Sequence, residues 1–209
     1  GGALAVYATK IALNLVEIRN CTAGTQGGGG ILLSGETKAD LIGGCFLSGN
    51  KASAEFGGNV RLAASSLNVH GNSSNLMWPA SEPVFPDEMK LDHTRPTTIT
   101  RGVARSGGGI FCMGSAFPNK GVHLGTGTIV SLSFANGDSR DEGGGGISTV
   151  LCDVRLNGAS ILLNNATSVG GGGGGVRLGT RSRLEVSVNS SFTGNMALAG
   201  SGGAVLCDE

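Results

Sequence analysis

Apolar and polar residues alternate along this chain in short runs, and the runs recur in one phase. The clearest is a six-residue phrase, Gly-Gly-x-Φ-x-Φ with Φ apolar, which opens the chain as Gly1-Gly2-Ala3-Leu4-Ala5-Val6. It returns at Gly29-Gly30-Ile31 with Leu33, and again ahead of Val60/Leu62, Ile110/Cys112, Ile147/Thr149, Val176/Leu178 and Val205/Cys207. From Leu4 the first apolar position advances by 27, 29, 50, 37, 29 and 29 residues. A recurrence of this length is the signature of a solenoid, in which each repeat buries its apolar face only against its neighbours.

Between the glycine markers lie further alternating runs, as expected of half-buried strands: Leu67-Asn68-Val69, Val122-His123-Leu124, Val154-Arg155-Leu156 and Leu184-Glu185-Val186. A third run follows in several repeats, over Ile129 to Phe134 and Ile161 to Leu163. In the first repeat Ile11, Leu13 and Leu15 alternate in the same way. No stretch carries a capped 3.6-residue stripe, so helix is not expected. Three short strands per turn of about 29 residues describe an all-β, single-stranded right-handed parallel β-helix of about six to seven coils. Side chains alternate across a strand, so the first and third marker positions should build two interior columns. One is Leu4, Ile31, Val60, Ile110, Ile147, Val176 and Val205; the other is Val6, Leu33, Leu62, Cys112, Thr149, Leu178 and Cys207. An asparagine precedes each glycine corner by about ten residues, at Asn20, Asn50, Asn136, Asn165 and Asn195. These are expected to stack as a hydrogen-bonded ladder.

Phe192-x-x-Asn195-x-Ala197 followed by Gly202-Gly203-Ala204-Val205 resembles the repeat of the chlamydial polymorphic membrane proteins, as does the opening Gly1-Gly2-Ala3-Leu4. These are autotransporter surface adhesins whose passenger domains carry F-x-x-N and G-G-A-[ILV] motifs. The resemblance implies a β-helix and adhesion at a cell surface. Only the last copy keeps both motifs, since Leu47 and Leu162 replace the phenylalanine and Arg101 stands near an expected asparagine.

Composition sharpens this reading. Glycine contributes 39 of 209 residues, but seven in-phase markers do not arise from flexible linker. Fifteen basic and fifteen acidic residues leave no net charge, which removes the electrostatic footprint of a nucleic-acid binder. No apolar run approaches the ~18 residues of a membrane span. Both termini fall inside the repeat, so residues 1–209 read as one solenoid segment of a longer chain. The five cysteines form no zinc spacing, and their odd number excludes complete internal pairing. Cys112 and Cys207 share a column but stand three coils, or about 14 Å, apart, too far for a disulfide.

Chemistry is sought where the repeat is interrupted. An insertion over residues 77–98 carries the single tryptophan and gathers Trp78 and Phe85 beside Lys90, Asp92, His93 and Arg95. Insertions in solenoids emerge as loops, often on the binding face, and these six residues are the candidate binding site. One alternative reading is a β-helical accessory subunit of a multiprotein complex; the other is a carbohydrate-active β-helix, a polysaccharide lyase or hydrolase. It would draw on Asp138, Arg140, Asp141 and Glu142, or on Asp87, Glu88, Asp92 and His93, as acid/base or calcium-binding carboxylates.

Gly170 to Gly175 satisfies G-x-G-x-x-G formally, but a strand follows it instead of a helix. His123, Arg155 and Glu185 are expected in one outward row. Sequons stand at Asn20, Asn72, Asn165 and Asn189, of which Asn20 and Asn165 are expected to be buried in the ladder. The sequence thus leads to a non-catalytic, extracellular or cell-surface adhesin stalk or assembly scaffold. It needs no cofactor or metal, and its partners are a surface protein, a glycan or neighbouring subunits of an assembly.

Overall fold

Gly28, Gly57, Gly107, Gly144, Gly173 and Gly202 all adopt φ between 61° and 72°, the left-handed region that a side chain resists. Each stands three residues before the first interior residue of a strand, which is why the glycine phrase keeps time with the fold. The computed structural model describes residues 1–70, 95–114, 120–137, 143–168, 171–187 and 189–208. Over these residues it contains strands and turns and no helix, and every strand pair is parallel.

Four sheets run the length of this parallel β-solenoid. The first has seven strands: Leu4–Tyr7, Ile31–Ser34, Val60–Ala63, Ile110–Met113, Ile147–Val150, Val176–Leu178 and Val205–Cys207. The second has six: Lys10–Asn14, Lys38–Ile42, Ser66–Val69, Gly121–Leu124, Asp153–Asn157 and Arg183–Ser187. The third has six three-residue strands, from Glu17–Arg19 to Ser191–Thr193. These counts agree approximately with the expected six to seven coils.

The fourth sheet corrects the expectation of three strands per coil. It consists of six two-residue strands, Thr22–Ala23, Lys51–Ala52, Val103–Ala104, Phe134–Ala135, Asn165–Ala166 and Met196–Ala197. What divides it from the third sheet is a column of left-handed residues: Asn20, Gly49, Arg101, Leu132, Leu163 and Gly194, with φ between 50° and 65°. A single residue in this conformation turns the chain sharply, so a run that reads as one strand in sequence, such as Ile129 to Phe134, is two strands around a corner.

The two expected columns are present in register. Leu4 pairs with Ile31, Ile31 with Val60, Val60 with Ile110, Ile110 with Ile147, Ile147 with Val176 and Val176 with Val205. The second column follows two residues later in every strand, and Leu33, Leu62, Cys112 and Thr149 are fully buried in it. They meet the inward residues of the second and third sheets, among them Leu41, Leu67, Ile99, Val130 and Ile161, in one continuous apolar core. Burying each large aliphatic contributes roughly 1.5–3 kcal/mol before the entropy of ordering it is charged.

The asparagine ladder exists in a different register from that expected. Its column, one residue beyond the left-handed corner, is Cys21, Asn50, Gly102, Ser133, Asn164 and Asn195. Asn50 Nδ2 donates to the Ile18 carbonyl at 3.0 Å and to Asn59 Oδ1 at 2.8 Å, while its Oδ1 accepts from the Cys21 amide. Asn164 Oδ1 accepts from the Ser133 amide. Asn20, Asn136 and Asn165 lie outside the ladder: Asn20 is the exposed corner residue, Asn136 is exposed, and Asn165 begins a strand of the fourth sheet, half-buried. The expected burial of the Asn20 sequon is therefore overturned, because the corner residue points out, and Asn165, two residues past its corner, is only half-buried while Asn164 takes the ladder position.

Cys112 pairs with Cys152 as a disulfide, with Cα atoms 6.1 Å apart, and Cys207 is free, as are Cys21 and Cys45. The bond joins an interior residue of the first sheet to the corner that leads into the second sheet one coil later.

Candidate functional site

The outward row of the first sheet is Ala5, Leu32, Arg61, Phe111, Ser148, Arg177 and Leu206, yet Leu32, Phe111, Ser148 and Arg177 are buried. The stretch before each glycine corner folds back across this row. Phe56 stacks on Phe111 with ring centroids 4.5 Å apart, and Ser106 Oγ meets Ser148 Oγ at 2.9 Å. Arg61 donates to the Gln26 carbonyl, and Arg177 forms an ion pair with Asp208. Isolated parallel bridges Phe56–Ser106, Gly143–Gly172 and Gly172–Ser201 tie this cover together. The first sheet is thus covered on its outer face at Leu32, Phe111, Ser148 and Arg177, and only Ala5 of this row is exposed.

The outer face of the second sheet is open. Alternation along its strands turns Ala12, Asp40, Asn68, His123, Arg155 and Glu185 outward, one from each strand, and parallel pairing sets them side by side. Asp40 Oδ1 accepts from Asn68 Nδ2 at 3.0 Å and from His70 Nε2 at 2.8 Å. Arg155 Nε lies 3.3 Å from Glu185 Oε2. Two residues further along the strands Asn157 and Ser187 continue the polar surface, joined by Thr126 just beyond the strand that carries His123. With Asn68, His70, His123, Arg155 and Glu185 they line an open groove of about 430 Å³ that crosses four strands, from Asn68 to Glu185.

The electrostatics are local and balanced. Burial alone would raise the Asp40 carboxyl, but the hydrogen bonds from His70 and Asn68, with the positive charges of His70 and Lys10, hold it below the usual carboxylate range. His123 is held below the usual imidazole range, first by partial desolvation in the groove and then by the Arg155 guanidinium, against the opposing pull of Asp153 and Glu185. The groove therefore presents a neutral imidazole beside an ion pair near pH 7.

The sequence places His123, Arg155 and Glu185 together, and the structure brings them together. Asp40 and His70 are absent from that reading. His70 lies one residue past the end of its strand, and the signal that could have found it is the alternation of Ser66, Asn68 and His70 beyond Val69. Of the six candidate binding residues, Trp78, Phe85, Lys90, Asp92 and His93 lie outside the described residues. So do Asp87, Glu88, Asp138, Arg140, Asp141 and Glu142 of the carbohydrate-active reading. Arg95 is exposed and stands at the corner between the second and third sheets, its Cβ packed over Gly44 and away from the groove. Among the described residues, no group of three or more His, Cys, Asp or Glu is placed to hold a metal ion. No helix among them is long and apolar enough to cross a membrane.

Comparison with protein-family models, with curated proteins and with solved structures finds no match for this chain.

Proposed function

We propose that this chain is a non-catalytic β-helical segment of an extracellular or surface protein, an adhesin stalk or assembly scaffold that engages its ligand through the outer face of the second sheet. The observation that supports this most is the in-register row of Asp40, Asn68, His123, Arg155 and Glu185 on the broad face that the glycine-rich turns leave open. A rigid sheet presenting one side chain per strand is suited to recognition, since little ordering entropy remains to be lost on binding. The Cys112–Cys152 disulfide favours an oxidising compartment. The likeness of its repeats to those of the polymorphic membrane proteins favours adhesion over assembly.

The test is attachment of the purified chain to cell surfaces, comparing the parent with a His123→Ala/Arg155→Ala variant. Attachment should fall at least about tenfold, which is the loss of roughly 1.4 kcal/mol. Equal attachment would remove the second sheet from the interaction.

A carbohydrate-active enzyme is the second reading, and one observation favours it. Asp153 and Glu185 lie on adjacent strands of the same outward face, two residues apart in register, and a pair of carboxylates on one face is what glycoside hydrolysis uses. Release of reducing ends from a polysaccharide, abolished by Glu185→Gln, would establish that reading in place of the first.

A further inference from the structure

The open groove has three properties that together select a ligand class. First, it runs across the strands, along the solenoid axis, so each strand offers a polar side chain at the inter-strand interval of about 4.8 Å. A ligand with a matching repeat meets one polar side chain at each step. Secondly, its polar lining includes the amides of Asn68 and Asn157 and the His123 imidazole, which both donate and accept. It also includes the hydroxyls of Thr126 and Ser187, which donate to the Asn157 and Leu156 carbonyls and keep lone pairs to accept. Thirdly, its charges are already paired. Arg155, the only lysine or arginine among the lining residues, contacts Glu185, the only carboxylate among them.

Each property excludes a class. An anionic polymer needs cations that are not already answered, and here Glu185 stands beside the guanidinium. An extended peptide docking by strand addition pairs along a sheet edge, whereas this groove crosses the face of the sheet; only Arg183–Ser187 of its four strands is an edge strand, and a strand added there would lie beside the groove. An apolar helix needs an apolar groove, and the rim here is amide, hydroxyl and charge.

We infer that the groove takes a linear, uncharged glycan laid along the solenoid axis, its successive sugars hydrogen-bonded by Asn68, His123, Arg155 and Asn157. This rests on the reading of the second-sheet face as the binding surface, and it names the ligand that the face recognises. Four strands, from Asn68 to Glu185, span roughly 14 Å, room for a short oligosaccharide.

The experiment is calorimetric titration of the full chain with uncharged linear glucan, mannan and xylan oligosaccharides, each as a disaccharide, a tetrasaccharide and a hexasaccharide. A hexameric oligogalacturonate is the charged comparison. At least one neutral series should bind, with affinity rising from disaccharide to tetrasaccharide and then levelling as the groove fills. Binding should change less than about twofold between roughly 0.05 and 0.5 M salt, because no net charge is neutralised. Asn68→Ala and Arg155→Ala should each weaken it about tenfold, with unchanged circular dichroism, since both side chains point away from the core. The proposal is overturned if no neutral oligosaccharide binds, if the oligogalacturonate binds more tightly with steep salt dependence, or if both variants bind as the parent does.

Cell attachment of the same variants separates this proposal from the function on which it rests. Attachment lost without any neutral glycan binding overturns the glycan and leaves the surface reading standing. Glycan binding lost with attachment intact supports the glycan and removes the adhesive role.

Discussion

The side-chain amide of Asn164 donates to Asn195 Oδ1, one coil further on, at 3.0 Å, and to the carbonyl of Val130, one coil back, also at 3.0 Å. Asn195 Oδ1 in turn accepts from the Asn164 backbone amide, and Asn195 Nδ2 reaches the Ile161 carbonyl at 2.8 Å. Two side chains thus satisfy backbone groups of two coils and tie them to a third. Removing the buried one strands those groups, so Asn164→Ala should cost about 1–3 kcal/mol. The next residue, Asn165, is half-buried and outside the ladder, and Asn165→Ala should stay within about 0.5 kcal/mol. Urea midpoints that move equally for both variants would place the ladder elsewhere.

The disulfide is checked in a different way. Peptide mapping of the unreduced protein should recover Cys112 linked to Cys152, and never Cys112 linked to Cys207. The linked residues are 40 apart in sequence, so replacing both by serine should lower stability by roughly 2–4 kcal/mol. A reduced protein that melts with the oxidised one would contradict this.

Glycine substitutions should divide sharply by position. A Cβ on Gly144 would sit inside contact distance of the Ile147 carbonyl oxygen, and φ there is 65°. Gly144→Ala should therefore cost at least about 2 kcal/mol. Gly24 has nothing within 4 Å of the corresponding position, so Gly24→Ala should be neutral or add up to about 1 kcal/mol. Similar losses at both sites would show that the marker glycines matter only as small residues.

Acid should weaken the fold in two steps. The imidazole of His123 is depressed in the folded state, so as pH falls below about 6.5 the unfolded chain takes that proton first and stability declines. The carboxyl of Asp40 is also depressed; its contribution is whole above about pH 4 and is lost as pH falls through its folded value. Denaturation midpoints across this range should flatten at the upper step in His123→Gln and at the lower step in Asp40→Asn. Variant curves parallel to the parent's at both steps would remove these groups from the pH response.

The interior columns from Leu4 to Val205 are legible in the sequence because a backbone requirement, φ near 65°, forces glycine at a fixed distance before each strand. The outward row of His123, Arg155 and Glu185 is legible because alternation is a geometric property of strands. The ladder is read one residue out at Asn20 and Asn165. Inward and outward depend there on which residue adopts the left-handed corner, and leucine and arginine occupy that corner as readily as glycine does. The disulfide escapes because Cys152 lies on a corner between sheets, whereas column reasoning compares residues within one sheet. The pairing of Asp40 with His70 joins residues 30 apart in sequence, and only the register of the second sheet brings them together.

A solenoid whose coils touch only their neighbours would ordinarily pay out like thread when its two ends are pulled. Here the Cys112–Cys152 bond closes the middle of the stack into a covalent ring. The ring withholds its 40-residue span from the extending chain, so a fully drawn strand is roughly 130–145 Å shorter than its residue count implies. For a rod anchored at one end and gripped at the other, tension then runs through a sulfur–sulfur bond and bypasses the hydrogen bonds of the enclosed coil. That coil can re-form after the outer ones have come undone.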